Sequence, residues 1–184
     1  MNPQTFDLIN PKDISDNMIS LIGDKWMLVT AGNSSCFNTM TASWGMMGFL
    51  WGKPVAQIFI RPQRYTFEFT EKNDFFTLSF FGEEQREALK ICGSTSGRDT
   101  DKVAETGLTP AFTKDGNVAF NKAELVLECR KMYVDDFRKE AFTDQSVIPA
   151  WYKDGDFHKV YIAEIVNVWK RKQTLGNDRF CQTY

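Results

Sequence analysis

Three short segments of this chain gather side chains able to grip a charged or hydrogen-bonding ligand. They are Cys36-Phe37-Asn38-Thr39-Met40-Thr41-Ala42-Ser43-Trp44-Gly45, Arg61-Pro62-Gln63-Arg64-Tyr65-Thr66 and Cys92-Gly93-Ser94-Thr95-Ser96-Gly97-Arg98-Asp99. In the first, Asn38, Thr39, Thr41 and Ser43 set donors and acceptors beside backbone amides, the rim needed by a planar ligand whose edge alternates carbonyls and ring nitrogens. A strand with hydroxyls on its solvent face reads the same way. The second places two guanidinium groups around a proline, between a strand end and a helix start, where arginine's fork and free amides suit phosphate. Ion pairing of these arginines with the nearby Glu68 or Glu71 accounts for them equally well. The third is a Gly/Ser/Thr loop running into a helix, the general form of an anion nest, and a helix start capped by Ser96 or Asp99 has the same composition.

Other chemistries find little support. There is one histidine, His158, which leaves no multi-histidine metal site and no convincing Ser-His-Asp or Cys-His arrangement. A lone histidine on a strand serves structure as readily as catalysis. The four cysteines, Cys36, Cys92, Cys129 and Cys181, are widely spaced without a CxxC pair and are expected to be reduced thiols. Cys36 is either a redox thiol or a small apolar side chain. Twenty-two basic and 24 acidic residues nearly cancel, with no basic run to meet nucleic acid. The first residues carry no basic stretch leading into an apolar run, and no apolar run is long enough to span a bilayer, so a cytoplasmic protein with no membrane contact is expected.

The elements that must position these segments are mostly strands. Lys25 to Ala31 is a strand closed by the turn Gly32 to Ser35, Val55 to Ile60 a second strand stopped by Pro62, and Phe75 to Phe81 a third. Tyr65 to Lys72 has helical spacing with Asn73 to close it, and Glu83 to Ile91 and Asp99 to Glu105 form further short helices. Ala123 to Val134 and Phe157 to Trp169 are long strands, the second with a slip in alternation near Glu164 that suggests a bulge. Strands without regular intervening helices, and no GxGxxG or GxxxxGK[ST] motif, favour a closed or partly open antiparallel barrel with helical excursions in one domain of 184 residues. The 16 Phe, 5 Trp and 5 Tyr suit a packed barrel, an aromatic ligand site or a subunit interface; Phe75, Phe76, Phe80 and Phe81 are assigned to core or interface.

The strings NTMTASWG, WGKP, RPQRYT, FFTLSFF, CGSTSGRDTDK, TGLTP and FHKVYIAEIVNV, in this order from about residue 24 to 170, together resemble the FMN-binding split-barrel flavin reductase family and its flavoredoxin-like members. The resemblance implies a mainly β, six-stranded antiparallel Greek-key split barrel with short peripheral helices, a homodimer, and FMN held near the subunit interface. It implies that Asn38, Thr39, Met40, Thr41 and Ser43 line the ring and ribityl chain, with Trp44 and Trp51 nearby. Arg61, Arg64 and Thr66 would face the phosphate, without a choice between the arginines, and Ser94, Ser96, Gly97 and Lys102 would add phosphate contacts. His158 would lie on the nicotinamide side. The implied reaction is hydride transfer from NADH or NADPH to the flavin, onward to a small-molecule or protein acceptor; the alternatives are a flavoredoxin-type carrier fed by a protein partner and a flavin-binding module without redox activity. Ala141 to Asp156 is a candidate cover for the site.

Overall fold

The computed structural model describes residues 1–172, and Cys181 lies outside the described residues. Its strands are β1 (Phe6–Ile9), β2 (Met27–Gly32), β3 (Phe37–Ala42), β4 (Gly45–Leu50), β5 (Lys53–Ile60), β6 (Phe75–Phe80), β7 (Pro110–Phe112), β8 (Val118–Phe120), β9 (Leu125–Asp136) and β10 (Lys159–Arg171). The helices are α1 (Met18–Ser20), α2 (Tyr65–Lys72), α3 (Arg86–Ser94), α4 (Lys102–Thr106) and α5 (Val147–Trp151).

Seven strands pair in the order β3-β2-β6-β9-β10-β5-β4, and β1 joins β10 to make an eight-stranded sheet. Every pairing is antiparallel. Strands β2, β3, β5, β6, β9 and β10 send Val29, Met40, Ile58, Leu78, Leu127 and Tyr161 into one buried cluster, so the sheet is wrapped around a single core as a barrel. These six strands make the expected split barrel; β1 and β4 extend the sheet to eight. Neither has the β-branched alternation by which a strand announces itself: β4 reads GMMGFL, with two glycines.

The split arises in β10. Its first half, Lys159 to Glu164, pairs with β5, and its last residues, Val168 to Arg171, pair with β1 along the same edge. Register against β9 shifts at Ile162/Ala163 and again at Ile165/Asn167, bracketing Glu164 where the sequence alternation slips. Such bulges increase local twist and let one strand serve two halves of a sheet.

The barrel's outer side is also covered. On β2, Val29 faces the core while Leu28 faces a second cluster formed with Ala88, Leu89 and Cys92 of α3 and with Phe120 and Val126, so the whole strand is buried. Helix α2 ends at Asn73, whose backbone and side-chain amides both donate to the Phe69 carbonyl, at 3.1 and 2.7 Å. Helix α4 begins later than expected. Asp101, rather than Ser96 or Asp99, caps it by accepting from the Val103 and Ala104 amides at 3.0 and 3.1 Å. It stops at Gly107, whose φ of +63° is the left-handed conformation that glycine adopts without strain. Cys36, Cys92 and Cys129 are free thiols. Among the described residues no helix is long and apolar enough to cross a membrane.

Candidate functional site

Strand β3, the end of β5 and the start of α2 enclose two cavities that meet at Arg64. One, of about 220 Å³, is lined by residues Met40 to Trp44, by Phe59, Arg61 and Arg64, and by Trp151 and His158. The other, of about 150 Å³, lies among Asn38, Gln63 to Thr66, the loop Gly93 to Gly97, and Lys102. The first is walled by rings. Trp44 meets Trp151 edge-on with centroids 4.9 Å apart and lies 5.2 Å from the His158 ring. The second is polar and basic.

The polar end is assembled from segments well separated in the sequence. Arg64 occupies the position before the first turn of α2, and the Asn38 side-chain amide donates to the Thr66 hydroxyl at 2.7 Å, tying β3 to that helix. Gly97 completes the contact: a Cβ there would stand 1.9 Å from Asn38 Oδ1, so only glycine lets the loop lie this close. Lys102 is buried, and its ammonium donates to the carbonyls of Thr39 and Cys92, both at 2.9 Å. An ammonium has three donors, so one remains for a ligand. Arg64 Nη2 is buried and has no hydrogen-bond partner. Among the described residues neither cation belongs to an ion pair. Burial lowers the Arg64 guanidinium from its ordinary range and brings Lys102 down to about 8. Uncompensated buried charge is costly, and an anion seated between these groups relieves it.

Arg61 is differently placed. Its guanidinium pairs with the Asp156 carboxylate, donates to the Trp151 carbonyl at 2.8 Å and stacks 5.4 Å from the Tyr152 ring. Gln63 adds a 2.8 Å bond to the same carboxylate. The acidic partners suggested by sequence proximity serve other cations: Glu68 pairs with Arg98, and Glu71 with Lys159. Arg61 therefore fastens residues 151–156 over the ring-lined cavity. Beneath them His158 Nδ1 lies 2.9 Å from the Tyr152 hydroxyl, with no partner for Nε2 among the described residues. Burial, reinforced by Arg61, pushes the imidazole down to about 4, so it is neutral near pH 7.

The two cavities bring together Asn38, Met40, Thr41, Ser43, Trp44, Arg61, Arg64, Thr66, Ser94, Ser96, Gly97, Lys102 and His158. Two of the residues expected there are not on these walls. The Thr39 hydroxyl is 2.9 Å from the Thr30 hydroxyl and 3.3 Å from the Val29 carbonyl, so this residue meets the site only through the carbonyl that Lys102 holds. Trp51 lies beyond the far end of β4, half-exposed and beside Tyr133. Sequence reasoning missed Phe59, and it held Gln63 only as a member of its segment and Tyr152 and Asp156 only within the candidate cover, with no individual role. Of these only the Asp156 partnership had a local signal, in the Asp154-Gly155 turn that reverses the chain just before it.

The arrangement can hold an anionic group at one end and a flat apolar ring at the other. The family model for the flavin reductase like domain matches residues 20–183. No curated protein sequence matches this chain. Among solved structures, the FMN-binding domain of a flavin reductases-like enzyme from Shewanella baltica is similar at TM-score 0.67 and 16% identity, covering 94% of this chain and 80% of that one. Flavoredoxin from Methanosarcina acetivorans is similar at TM-score 0.65 and 18% identity, covering 91% and 76%. An FMN-binding protein from Thermus thermophilus, with bound p-hydroxybenzaldehyde, is similar at TM-score 0.63 and 22% identity, covering 79% and 70%. With most of its length matched, this chain belongs to the flavin reductase-like domain family.

Proposed function

We propose that the joined cavities bind a phosphorylated flavin, FMN in the simplest case, and that the protein is an NAD(P)H-dependent flavin oxidoreductase. The observation that carries this reading is Arg64: a guanidinium nitrogen buried without a partner, on the wall common to a polar cavity and a ring-lined one. Arg64, Lys102 and the amides of residues 94–97 would hold the phosphate, and Asn38, Thr41 and Ser43 would hold the ribityl chain and ring edge. FMN is also the ligand in the names of the similar Shewanella and Thermus proteins. Bound there, flavin supplies a ring that accepts hydride at N5.

The chain's own part is positioning and shielding. Trp44 and Trp151 form the aromatic wall against which a nicotinamide can lie. His158, neutral and oriented by Tyr152, adds a polar contact on that wall without adding charge. Residues 151–156, held by Arg61, exclude water from it.

A homodimer is part of the same proposal. Among the described residues strand β4 ends the sheet with β5 as its only partner, and it exposes Met46 and Phe49 to 55% and 67%. An open apolar edge of this kind calls for a second chain. Sedimentation at micromolar concentration should give twice the chain mass.

The decisive measurement is spectroscopic. Titration with FMN should give a saturable shift in flavin absorbance at micromolar protein, and NADH or NADPH should then bleach it on a catalytic timescale. Tight FMN binding without bleaching by either nucleotide would assign the protein to the carriers, and no FMN binding would overturn the reading.

A further inference from the structure

Beside the ring-lined cavity lies a larger one of about 640 Å³, within the range of roughly 300–1,000 Å³ usual for small-molecule sites. The two share Ser43, Trp44 and Phe59. The rest of the larger wall comes from α1 and the helical turn after it, with Met18, Ile19 and Gly23, from β4 with Met46 and Met47, and from Phe137. Among the described residues none on this wall carries a charge, whereas Arg64 and Lys102 line the polar cavity at the other end of the site. Ile19 is 85% exposed and Met46 is exposed beside it on the wall, apolar surface that folding leaves uncovered.

We infer that this cavity takes the final electron acceptor, and that the acceptor is an uncharged quinone. This rests on the flavin reading and extends it from cofactor to substrate. The lining decides the charge. An ionised group seated here would give up water for methionine and isoleucine side chains and gain no counter-charge. A second phosphorylated flavin, used as acceptor, would find on this wall no cation in the role that Arg64 plays at the polar end.

The lining also decides the shape. Met18, Met46 and Met47, unbranched and polarisable, can close on flat rings of different outline, and Trp44 offers an aromatic surface. The side-chain donors of the wall are the Ser43 hydroxyl and the Trp44 indole, both on the part shared with the ring-lined cavity. A carbonyl oxygen accepting from either one draws its ring toward the flavin. A flat, uncharged ring with carbonyl oxygens that takes up two electrons is a quinone. One nicotinamide hydride and one proton from solvent convert its two carbonyls into the two hydroxyls of the hydroquinone, leaving oxidised nicotinamide and the flavin unchanged overall.

The competing occupant is a second copy of the chain, because the open β4 edge supplies Met46 and Met47 to the same wall. The enclosed volume and the wall shared with the flavin site favour the small molecule.

Calorimetric titration of the FMN-loaded full-length protein with naphthoquinone and with naphthoquinone sulfonate, the same ring without and with a charge, tests the inference. Naphthoquinone should bind at least about tenfold more tightly, and it should be the faster oxidant of the nicotinamide-reduced protein. A Cβ at Gly23 meets nothing within 4 Å, so Gly23→Phe can fill the cavity without displacing the chain. It should weaken naphthoquinone by at least about tenfold and leave FMN affinity and bleaching by the nicotinamide unchanged. Ile19→Lys, at an exposed position, gives the sulfonate a cation and should narrow the preference for the neutral ring by at least about threefold, a second readout if Gly23→Phe folds poorly. Equal affinity for the two quinones, or undiminished naphthoquinone binding in Gly23→Phe, would overturn the assignment while FMN binding leaves the flavin reading intact. Failure of both quinones to bind, with Gly23→Phe turning a dimer into a monomer, would give the cavity to the second copy and also overturn it. If FMN does not bind, this inference and the reading beneath it fall together.

Discussion

Arg61 and Arg64 stand three residues apart in the sequence, on either side of the corner between β5 and α2, yet they live in opposite states. Arg61 is fully engaged by its own chain through Asp156, the Trp151 carbonyl and the Tyr152 ring. Arg64 is partly buried, with one guanidinium nitrogen buried and orphaned and, among the described residues, no carboxylate to neutralise it. A folded chain rarely leaves a buried cation unsatisfied, because desolvation costs more than a surface ion pair returns. An engaged arginine is already part of the architecture, whereas an orphaned one implies a ligand that completes it.

The contrast breaks most directly if both arginines are replaced by methionine, which keeps the stem and removes the charge. Arg64→Met should weaken FMN by about 10- to 100-fold, the worth of roughly 1.5–3 kcal/mol for hydrogen bonds to a charged group. It should leave riboflavin, which lacks phosphate, within about threefold. The protein without ligand should be no less stable, since an unpaired buried charge is being removed. Arg61→Met should change FMN affinity by less than about threefold. Equal losses for the two variants, or equal losses for FMN and riboflavin in Arg64→Met, would erase the distinction.

How far the sequence alone could draw this line depends on the range of the interactions. Helix α2 and its Asn73 stop are local, so spacing revealed them, and the bulge at Glu164 showed itself as a slip in alternation. The barrel followed from the order of strands. Which arginine is free did not, because Asp156 lies 95 positions from Arg61 and reaches it only after the chain has passed through two more strands of the barrel, β6 and β9, the β7-β8 pair and the segment bearing α5. The nearby Glu68 and Glu71 looked like equal partners until tertiary structure gave them Arg98 and Lys159. The direction of the Thr39 hydroxyl was hidden for a similar reason: only the register of β3 against β2 shows that it meets Thr30. Trp51 followed the family pattern, and in this chain it sits at the open β4 edge.

The ring end offers a second, smaller test, in stability rather than binding. His158 is held near 4 when folded and returns toward 6.5 when unfolded. Above pH 6.5 both states are neutral. As pH falls from 6.5 toward 4 the unfolded chain takes up the proton first, so the folded state loses stability across that window and no further below it. The loss should reach on the order of 2 kcal/mol by pH 4.5. Urea unfolding at pH 7 and 4.5 should show that His158→Gln lacks this part of the acid sensitivity; identical slopes in the two proteins would place His158 in an ordinary solvated site.

The phosphate end should respond at the opposite side of neutrality. Lys102 has a pKa brought down to about 8 by burial, so without ligand it loses its proton as pH rises through that value, while a bound phosphate would favour the charged form. Binding then requires proton uptake above pH 8, and FMN affinity should fall by up to about tenfold per pH unit from there. Riboflavin affinity should stay flat. Lys102→Met should abolish the slope, and a persistent slope in that variant would mean that another group carries it.

The smallest effect is expected at the Arg61 fastening. Asp156→Asn removes the charge from the pair but keeps an oxygen able to accept from Arg61 and Gln63. Both partners are partly exposed, at 26% and 21% of their side-chain surface, so water screens the pair and its loss should leave stability almost unchanged. The consequence should appear instead in local order. Residues 151–156, no longer held across the ring-lined cavity, should exchange backbone amide hydrogens faster, while the amides of α2 keep their protection. A matching loss of protection at α2 would show that the fastening supports the phosphate end as well, and that the two arginines belong to one structural unit.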